Sequence, residues 1–321
     1  MIPRFLGLVL LLLSTPCLAA SDSYLLVLNK ADNTLAIVDP TNFKVVATIP
    51  TGEGPHEVIT SADGKWAFVA NYGTAQSLGN SLSVIDLIAK KELRRVDLGA
   101  LKRPHGIVEN GGKIYFTCEV NRAIARYDPA TDKVDFVMGT GQEATHMLVM
   151  SAEKKIYTAN IRSNTVTAFD FSKAPSTVTQ ISVGPMPEGL DLSPDGKELW
   201  VGHNGDGNIS ILDTVTNKVK ETIKGGQMPI RLKFTPDGKR VLVSDPKSGE
   251  LLVLEAATRK ELKRISVGEA PVGILVQPDG KRAYVATSGA GRVVVINLEE
   301  LSVITKFEPG NVPDGLAWTG K

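Results

Sequence analysis

The chain has 321 residues, and 36 basic against 35 acidic side chains give it a formal net charge of +1 at neutral pH. No block of like charge stands out, which argues against a nucleic-acid or anionic-membrane partner. Only Cys17 and Cys118 are present, and Cys17 would be lost with a signal peptide. We therefore expect a fold held together by packing, without an intrachain disulfide.

The first twenty residues have the pattern of a signal peptide. Arg4 precedes an apolar run from Phe5 to Leu13, and small residues follow as far as Ala20. This run is too short to span a bilayer. We predict cleavage of residues 1–20, export to the periplasm or the medium, no membrane span, and one domain over residues 21–321.

Residues 21–54 contain three predicted strands, each with alternating apolar residues and turn residues at its ends. They are Tyr24–Asn29, Leu35–Val38 and Val45–Ile49. They match the second, third and fourth strands of a unit that recurs down the chain. The missing first strand occurs at the other end of the chain, as Pro313–Trp318, so these four strands are expected to pair and close a ring.

A four-strand unit of about 42 residues repeats through the rest of the sequence. Its best copy begins at Pro187 and contains the hairpin turn Ser193–Lys197, in which Gly196 can adopt positive φ. The full units begin at Pro55, Pro104, Thr145, Pro187, Pro229 and Pro271. This period predicts an all-β, seven-bladed β-propeller of four-stranded antiparallel blades, most simply a monomer.

The second strands of the units end in related four-residue motifs, such as Phe68–Asn71, Tyr157–Asn160 and Tyr284–Thr287. They resemble the YVTN-type repeat of seven-bladed propellers, in the branch called YncE-like. The resemblance covers the whole of residues 21–321. It implies the fold and leaves the function open, because propellers support binding, scaffolding and catalysis alike.

Two insertions, Asn71–Asn80 and Leu98–Pro104, lengthen loops of the first units. Both loop types belong to the face opposite the Asp-Gly-Lys turns, which marks that face as the expected site of function. The residue after each unit start should meet its equivalents around the central channel of this face. In chain order these residues are His56, His105, His146, Glu188, Ile230, Val272 and Asp314.

Three of the four histidines of the chain therefore share one repeat position, beside an apolar arc. A second ring is expected where the second strands end, with candidate ligand-binding residues Asn71, Glu119, Asn160, His203 and Asp245, and with Asp314 from the first ring. Glu57 and Arg231 replace a glycine found in four other units and are expected to add charge at the channel. Such a mixture of polar and apolar residues is typical of a small-molecule site.

Three imidazoles and a carboxylate suit a divalent transition metal, such as Zn, Cu, Ni or Fe, with His56, His105, His146 and Glu188 as ligands. Glu188 or Glu57 would then serve as general base, and Arg231 is a third candidate catalytic residue. The channel mouth also resembles that of lactonase propellers, with His105, His146, Glu188 and Arg231 as the counterparts. The nitrous-oxide reductase propeller is similar in its histidine placement, although its site needs many more histidines.

Three functions follow from these patterns. The first is an exported propeller that binds a small ligand, with or without a metal, at the mouth. The second is a lactonase-like hydrolase or a lyase acting at the same place. The third is a protein-interaction scaffold in which the histidines are structural.

Overall fold

The computed structural model describes residues 23–152, 154–172 and 174–320, and over these ranges the chain forms seven four-stranded antiparallel sheets. The predicted signal peptide, residues 1–20, lies outside the described residues. The strands that open the chain are β1 (Leu25–Asn29), β2 (Thr34–Asp39) and β3 (Lys44–Pro50).

The next twelve strands form three complete blades. Blade 1 contains β4 (Pro55–Thr60), β5 (Trp66–Gly73), β6 (Leu78–Asp86) and β7 (Lys91–Asp97). Blade 2 contains β8 (Pro104–Asn110), β9 (Lys113–Cys118), β10 (Ala123–Asp128) and β11 (Lys133–Gly139). Blade 3 contains β12 (Thr145–Met150), β13 (Lys155–Asn160), β14 (Thr165–Asp170) and β15 (Thr177–Ser182), with one 3₁₀ turn at Ile161–Ser163.

Three further blades and one last strand complete the ring. Blade 4 contains β16 (Pro187–Leu192), β17 (Glu198–His203), β18 (Asn208–Asp213) and β19 (Lys218–Lys224). Blade 5 contains β20 (Arg231–Phe234), β21 (Arg240–Asp245), β22 (Glu250–Glu255) and β23 (Glu261–Ser266). Blade 6 contains β24 (Pro271–Val276), β25 (Arg282–Thr287), β26 (Arg292–Asn297) and β27 (Ser302–Phe307), and the last strand is β28 (Pro313–Trp318).

The closing blade has the mixed origin that the sequence predicts. Its strand order is β28-β1-β2-β3, and β28 pairs antiparallel with β1, with Leu25 opposite Trp318 and Leu26 opposite Ala317. The two ends of the described chain are also joined by hydrogen bonds between Tyr24 and Thr319. The propeller fold and its closure are therefore confirmed.

The hydrophobic core lies between blades rather than within them. The second and third strands are buried on both faces because each blade is covered by a neighbour on either side, whereas outer strands such as β7 alternate between exposed and partly buried residues. One core cluster joins Leu26 and Leu28 of β1 to Val69 of β5. Cys118 is fully buried in the next cluster, as a small hydrophobic residue.

A shared irregularity directs side chains towards the channel. In six blades the first strand pairs through its first residue, and then the register shifts before regular pairing resumes. Such a bulge leaves the next residue outside the ladder and re-aims its side chain. The glycine that follows in four blades lets neighbouring inner strands approach, since a Cβ at Gly273 would lie 2.1 Å from the backbone oxygen of Asp314.

No helix within residues 23–152, 154–172 and 174–320 is long and apolar enough to cross a bilayer.

Candidate active site at the channel mouth

Five residues of the first ring form one continuous arc. The ring centroids of His56 and His105 are 4.3 Å apart, and those of His105 and His146 are 3.6 Å apart. At one end of the arc His56 Nδ1 lies 3.3 Å from Asp314 Oδ2. At the other end His146 Nε2 lies 3.5 Å from Glu188 Oε1. The structure thus gathers residues from five consecutive blades around the axis.

His146 is the positively charged histidine of the arc. Its two ring nitrogens each lie 3.5 Å from a carboxylate oxygen, of Glu119 on one side and Glu188 on the other. Burial by itself lowers the pKa of His146, but the two carboxylates outweigh burial and raise this pKa to about 9. At 3.5 Å the contacts are ion pairs rather than tight hydrogen bonds, so charge is the main cause.

The other two histidines of the arc are neutral. Burial lowers the pKa of His105 well below its usual value, and the charge of His146 acts in the same direction. Burial and the charge of Lys30 lower the pKa of His56 in the same way. A neutral His105 ring can stack on the imidazolium of His146, whereas two charged rings at this separation would repel each other.

Several polar atoms of the arc are buried and have no hydrogen-bond partner within the described part of the chain. They are His56 Nδ1, His105 Nδ1, His105 Nε2, His146 Nδ1 and Asp314 Oδ1. Buried polar groups in folded proteins are nearly always satisfied, so a concentration of unsatisfied atoms indicates a place for water or a ligand. The arc is the main concentration of such atoms in the described residues.

An ion pair crosses the channel beside the arc. Arg231 of blade 5 donates to Glu57 of blade 1 over 2.8 Å, and its other terminal nitrogen lies 3.3 Å from Glu188 Oε1. Burial raises the pKa of Glu57, and its pairing with Arg231 only partly offsets this. Burial also disfavours ionisation of Glu188, yet His146 and Arg231 hold its pKa below the usual value. The three residues predicted to be catalytic therefore lie together, with two carboxyl groups whose pKa values are shifted in opposite directions.

The second ring needs one correction, in blade 2. Pro104 pairs with Cys118, as Pro55 pairs with Asn71 and Pro187 with His203, so Cys118 is the true second-ring residue of this blade. Blade 2 has fewer residues between these two positions than blades 1 and 4, so the sequence analysis assigned Glu119 to the second ring although it lies one residue beyond it. Glu119 belongs to a third ring, one residue beyond the second.

Most second-ring side chains form hydrogen bonds with the loops and strands around them and do not join the arc. Asn71 donates to Ser81 and Ser83, and Asn160 donates to Thr165 and Thr167. Asp245 accepts from four backbone amides, those of Gln227, Met228, Lys247 and Ser248. His203 accepts from the Gly184 amide over 3.3 Å and lies 3.5 Å from Asp206. The structure does not bring these four residues into the arc.

The third ring supplies residues that the sequence analysis missed. Lys30 Nζ lies 3.2 Å from Asp314, Asn204 donates a hydrogen bond to Glu188, and the Tyr72 hydroxyl donates one to Glu119. Burial and the bond to Glu119 raise the pKa of Tyr72 to about 12, so the phenol keeps its proton. The available signal was the position itself, because Lys30, Tyr72 and Asn204 each follow a second-ring residue directly.

The two insertions predicted to mark the functional face do contribute to this cluster. Tyr72 lies in the first insertion, and its ring stacks on His56 at 5.0 Å. Arg103 lies in the second insertion, and its guanidinium carbon lies 4.5 Å from the centre of the Tyr72 ring.

The predicted metal ligands are close together, but their arrangement differs from that of a metal site. Among the described residues no group of three or more His, Cys, Asp and Glu side chains is placed to hold an ion. The rings of His105 and His146 stack, with their centroids 3.6 Å apart and their planes at 30° to each other. The metal stays a prediction.

Comparisons with known proteins agree with this architecture. Solved structures that cover most of the chain include a protein of unknown function from Desulfotomaculum acetoxidans DSM 771, with TM-score 0.76, 13% identity, and coverage of 92% of this chain and 98% of that one. Another is a Bacteroides fragilis NCTC 9343 protein provisionally assigned as a 6-phosphogluconolactonase, with TM-score 0.77, 16% identity, and coverage of 95% and 100%. Hydrazine synthase of Kuenenia stuttgartiensis matches with TM-score 0.69, 19% identity, and coverage of 82% and 89%. At these identities the likeness shows the fold alone.

Two sequence matches add to this. A curated relative, Antigen Lp49 of Leptospira interrogans (serogroup Icterohaemorrhagiae serovar copenhageni, strain Fiocruz L1-130), is 26% identical over 186 residues, or 49% of this chain. The match spans only 41% of the length of that relative. The family model described as "Lactonase, 7-bladed beta-propeller" matches residues 116–268, a segment that contains Glu119, His146, Glu188 and Arg231. Over this segment the chain is similar to the lactonase-type seven-bladed propellers.

Proposed function

We propose that the channel mouth binds a small carbonyl compound and hydrolyses a lactone or ester bond there. The observation that carries the proposal is a neutral histidine next to a carboxylate, His56 and Asp314, near two buried cations, His146 in the arc and Arg231 beside it. The lactonase family match over residues 116–268 supports the same class of reaction.

His56 is the base in this proposal. Its Nδ1 lies 3.3 Å from Asp314 Oδ2 without a hydrogen bond. In this proposal the contact closes to a hydrogen bond when substrate binds, which places the proton on Nδ1 and leaves Nε2 as the acceptor. The His56 side chain keeps 14% of its surface exposed, whereas His105 is fully buried. A water molecule can therefore reach His56 more readily than its neighbour.

Two cations are available to the oxyanion. His146 is protonated between its carboxylates, and Arg231 keeps its charge because Glu57 and Glu188 outweigh the opposing effect of burial on its pKa. Preorganised donors in a buried site stabilise a developing oxyanion more strongly than they would in water. Ile230 and Val272, both partly exposed on the opposite arc, offer an apolar surface for the rest of the substrate.

The reaction proceeds in two steps. Water oxygen attacks the carbonyl carbon while its proton passes to His56 Nε2, and the tetrahedral oxyanion faces the cations. The bond from this carbon to the ring oxygen then breaks, and the leaving alkoxide takes the proton back from the imidazolium. The product is a hydroxy acid, and the enzyme returns to its starting state.

A panel of γ- and δ-lactones and simple esters, followed by pH-stat titration, tests the proposal. His56→Gln and Asp314→Asn should each lower turnover by at least about a hundredfold, in line with the contribution of a positioned general base. His203→Gln is the matched control, because the fourth histidine lies outside the arc, and it should retain turnover once its folding is verified. Turnover that survives in His56→Gln, or its absence from the wild type with every substrate, overturns the proposal.

Ligand binding without turnover is a second candidate, favoured by the unsatisfied nitrogens of His105. A bound transition metal is a related proposal, which metal analysis of purified wild type, His105→Ala and His146→Ala would decide. A ligand or metal that raises the Tm of the wild type but not of the two variants supports binding. If all three proteins behave equally, the protein-interaction scaffold remains as the proposed function. Export and the YVTN-type origin of the repeats are likewise proposals, and fractionation of cells that produce the full chain tests export.

A further inference from the structure

A second concave site lies on the rim of the mouth, outside the arc. It is a pocket of about 450 Å³ lined by residues of blades 1 to 3 and the loops that join them, and Tyr72 and Glu119 form part of its wall. These two residues also contact the histidines, so the pocket adjoins the mouth without sharing its arc residues.

Arginine is the dominant residue type in this pocket. Arg103, Arg122 and Arg162 line it, from three different loops, against the acidic residues Glu119 and Glu143. The count of three cations and two anions gives a local charge of +1. Glu119 is already engaged by Tyr72 and His146, so it neutralises the arginines less than the count implies.

The three guanidinium groups differ in how far they are already satisfied. Arg122 pairs with Glu143 over 2.7 Å at the exposed edge of the pocket. Arg103 stacks on Tyr72 and donates a hydrogen bond to the Thr74 backbone oxygen. Arg162 is exposed and has no hydrogen bond or ion pair to any residue in the described ranges. Its donors, and most of those of Arg103, are free for a ligand.

The loops that carry these arginines are joined by hydrogen bonds. The Glu119 amide donates to the Arg103 carbonyl, and the Ile161 amide donates to the Ala144 carbonyl beside Arg162. The Lys102 amide donates to the Asn121 side chain, one residue before Arg122. The backbone under each guanidinium is therefore fixed before a ligand arrives, which lowers the cost of ordering the site on binding.

We propose that this rim pocket is an oxyanion site, which takes a carboxylate or phosphate group. Guanidinium groups bind both through paired N–H donors, and three of them around one pocket of this size favour such a group over a neutral one. None of its arginines contacts His56, Asp314 or Arg231, so anion binding at the rim can be measured separately from hydrolysis, although Tyr72 and Glu119 connect the two places.

Isothermal calorimetry and thermal unfolding with inorganic phosphate and with citrate test the site, with sodium chloride holding the ionic strength constant. We expect saturable binding and a rise in Tm with at least one of the two anions. Binding of phosphate alone assigns the site to phosphate groups, and binding of citrate alone assigns it to carboxylates.

Arg162→Gln should weaken this binding by about tenfold or more, since a hydrogen bond to a charged group is typically worth that much. Arg122→Gln should weaken it too and leave Glu143 unpaired. Arg264→Gln is the matched control, because this arginine is paired with Glu261 and Glu250 on the outer strands of blade 5. The inference is wrong if both anions act no differently from chloride, or if Arg162→Gln and Arg264→Gln bind them equally well.

Discussion

Replacing Arg231 by methionine is the most informative perturbation of the channel. The Arg231 side chain is 9% exposed and faces two carboxylates, of Glu57 and Glu188. Methionine keeps much of the length and removes the charge, which leaves Glu57 buried without its ion-pair partner. Loss of one member of a buried pair typically costs about 3–5 kcal/mol, a large fraction of the stability of a domain.

The dependence of this loss on pH identifies its cause. Without Arg231, the pKa of Glu57 should rise further, because burial already raises it and the opposing charge is gone. A raised pKa in the folded state favours the protonated carboxyl, so Glu57 causes no loss below its usual pKa of about 4.3 and a growing loss as pH rises through the raised value. The gap between wild type and variant should therefore widen from pH 5 to pH 8.

Urea unfolding at several pH values measures this gap. Glu57→Gln combined with Arg231→Met should recover much of the lost stability, because the unpaired charge is then absent. A loss below about 1 kcal/mol that does not change with pH would refute the reasoning, since it would place the pair within the range of solvent-exposed ion pairs.

Three further predictions concern charge, closure and packing. His146, whose pKa is raised to about 9, should contribute stability in full below its usual pKa and lose that contribution as pH rises through 9, which NMR titration and urea unfolding can follow together. Deletion from Pro313 onward should abolish cooperative folding of the whole ring, seen as loss of the β-sheet circular dichroism signal; fraying confined to the closing blade would contradict this. Gly273→Ala should destabilise the protein by about 1–3 kcal/mol or more, because its Cβ would lie 2.1 Å from a backbone oxygen. Gly139→Ala is the control: its Cβ would have its closest contact at 3.9 Å, so its stability in thermal unfolding should change by less than about 0.5 kcal/mol.

The sequence predicted the architecture well because the repeat carries information that a single strand lacks. One run such as Leu199–Val201 is ambiguous, but seven copies at a fixed spacing define blades, their order and the closing pair. Strand ends were predicted less well. The sequence placed strands at Leu35–Val38 and Val45–Ile49, and the structure extends them to Thr34–Asp39 and Lys44–Pro50, because the ladder continues through the polar end residues, where Thr34 pairs with Pro50 and Asp39 with Lys44.

The site was predicted in part, for the same reason. His56, His105 and His146 have the same position within their repeats, and a propeller places equivalent residues of successive blades close together around its axis. Offsets gave no information on side-chain direction, so the stacking of His105 on His146 and the crossing of the channel by Arg231 could not be predicted. The shorter spacing in blade 2 likewise hid the true place of Glu119.

The bulge at the start of the inner strands separates the composition of the mouth from the hydrogen bonding of the sheets. A side chain that leaves the ladder at this point can be exchanged without loss of a ladder bond in its blade. Val272, which follows the bulged Pro271, could therefore be replaced by histidine or a carboxylate while the blade keeps its pairing. Such exchanges would vary the side chains of the mouth blade by blade while the sheets keep their pairing.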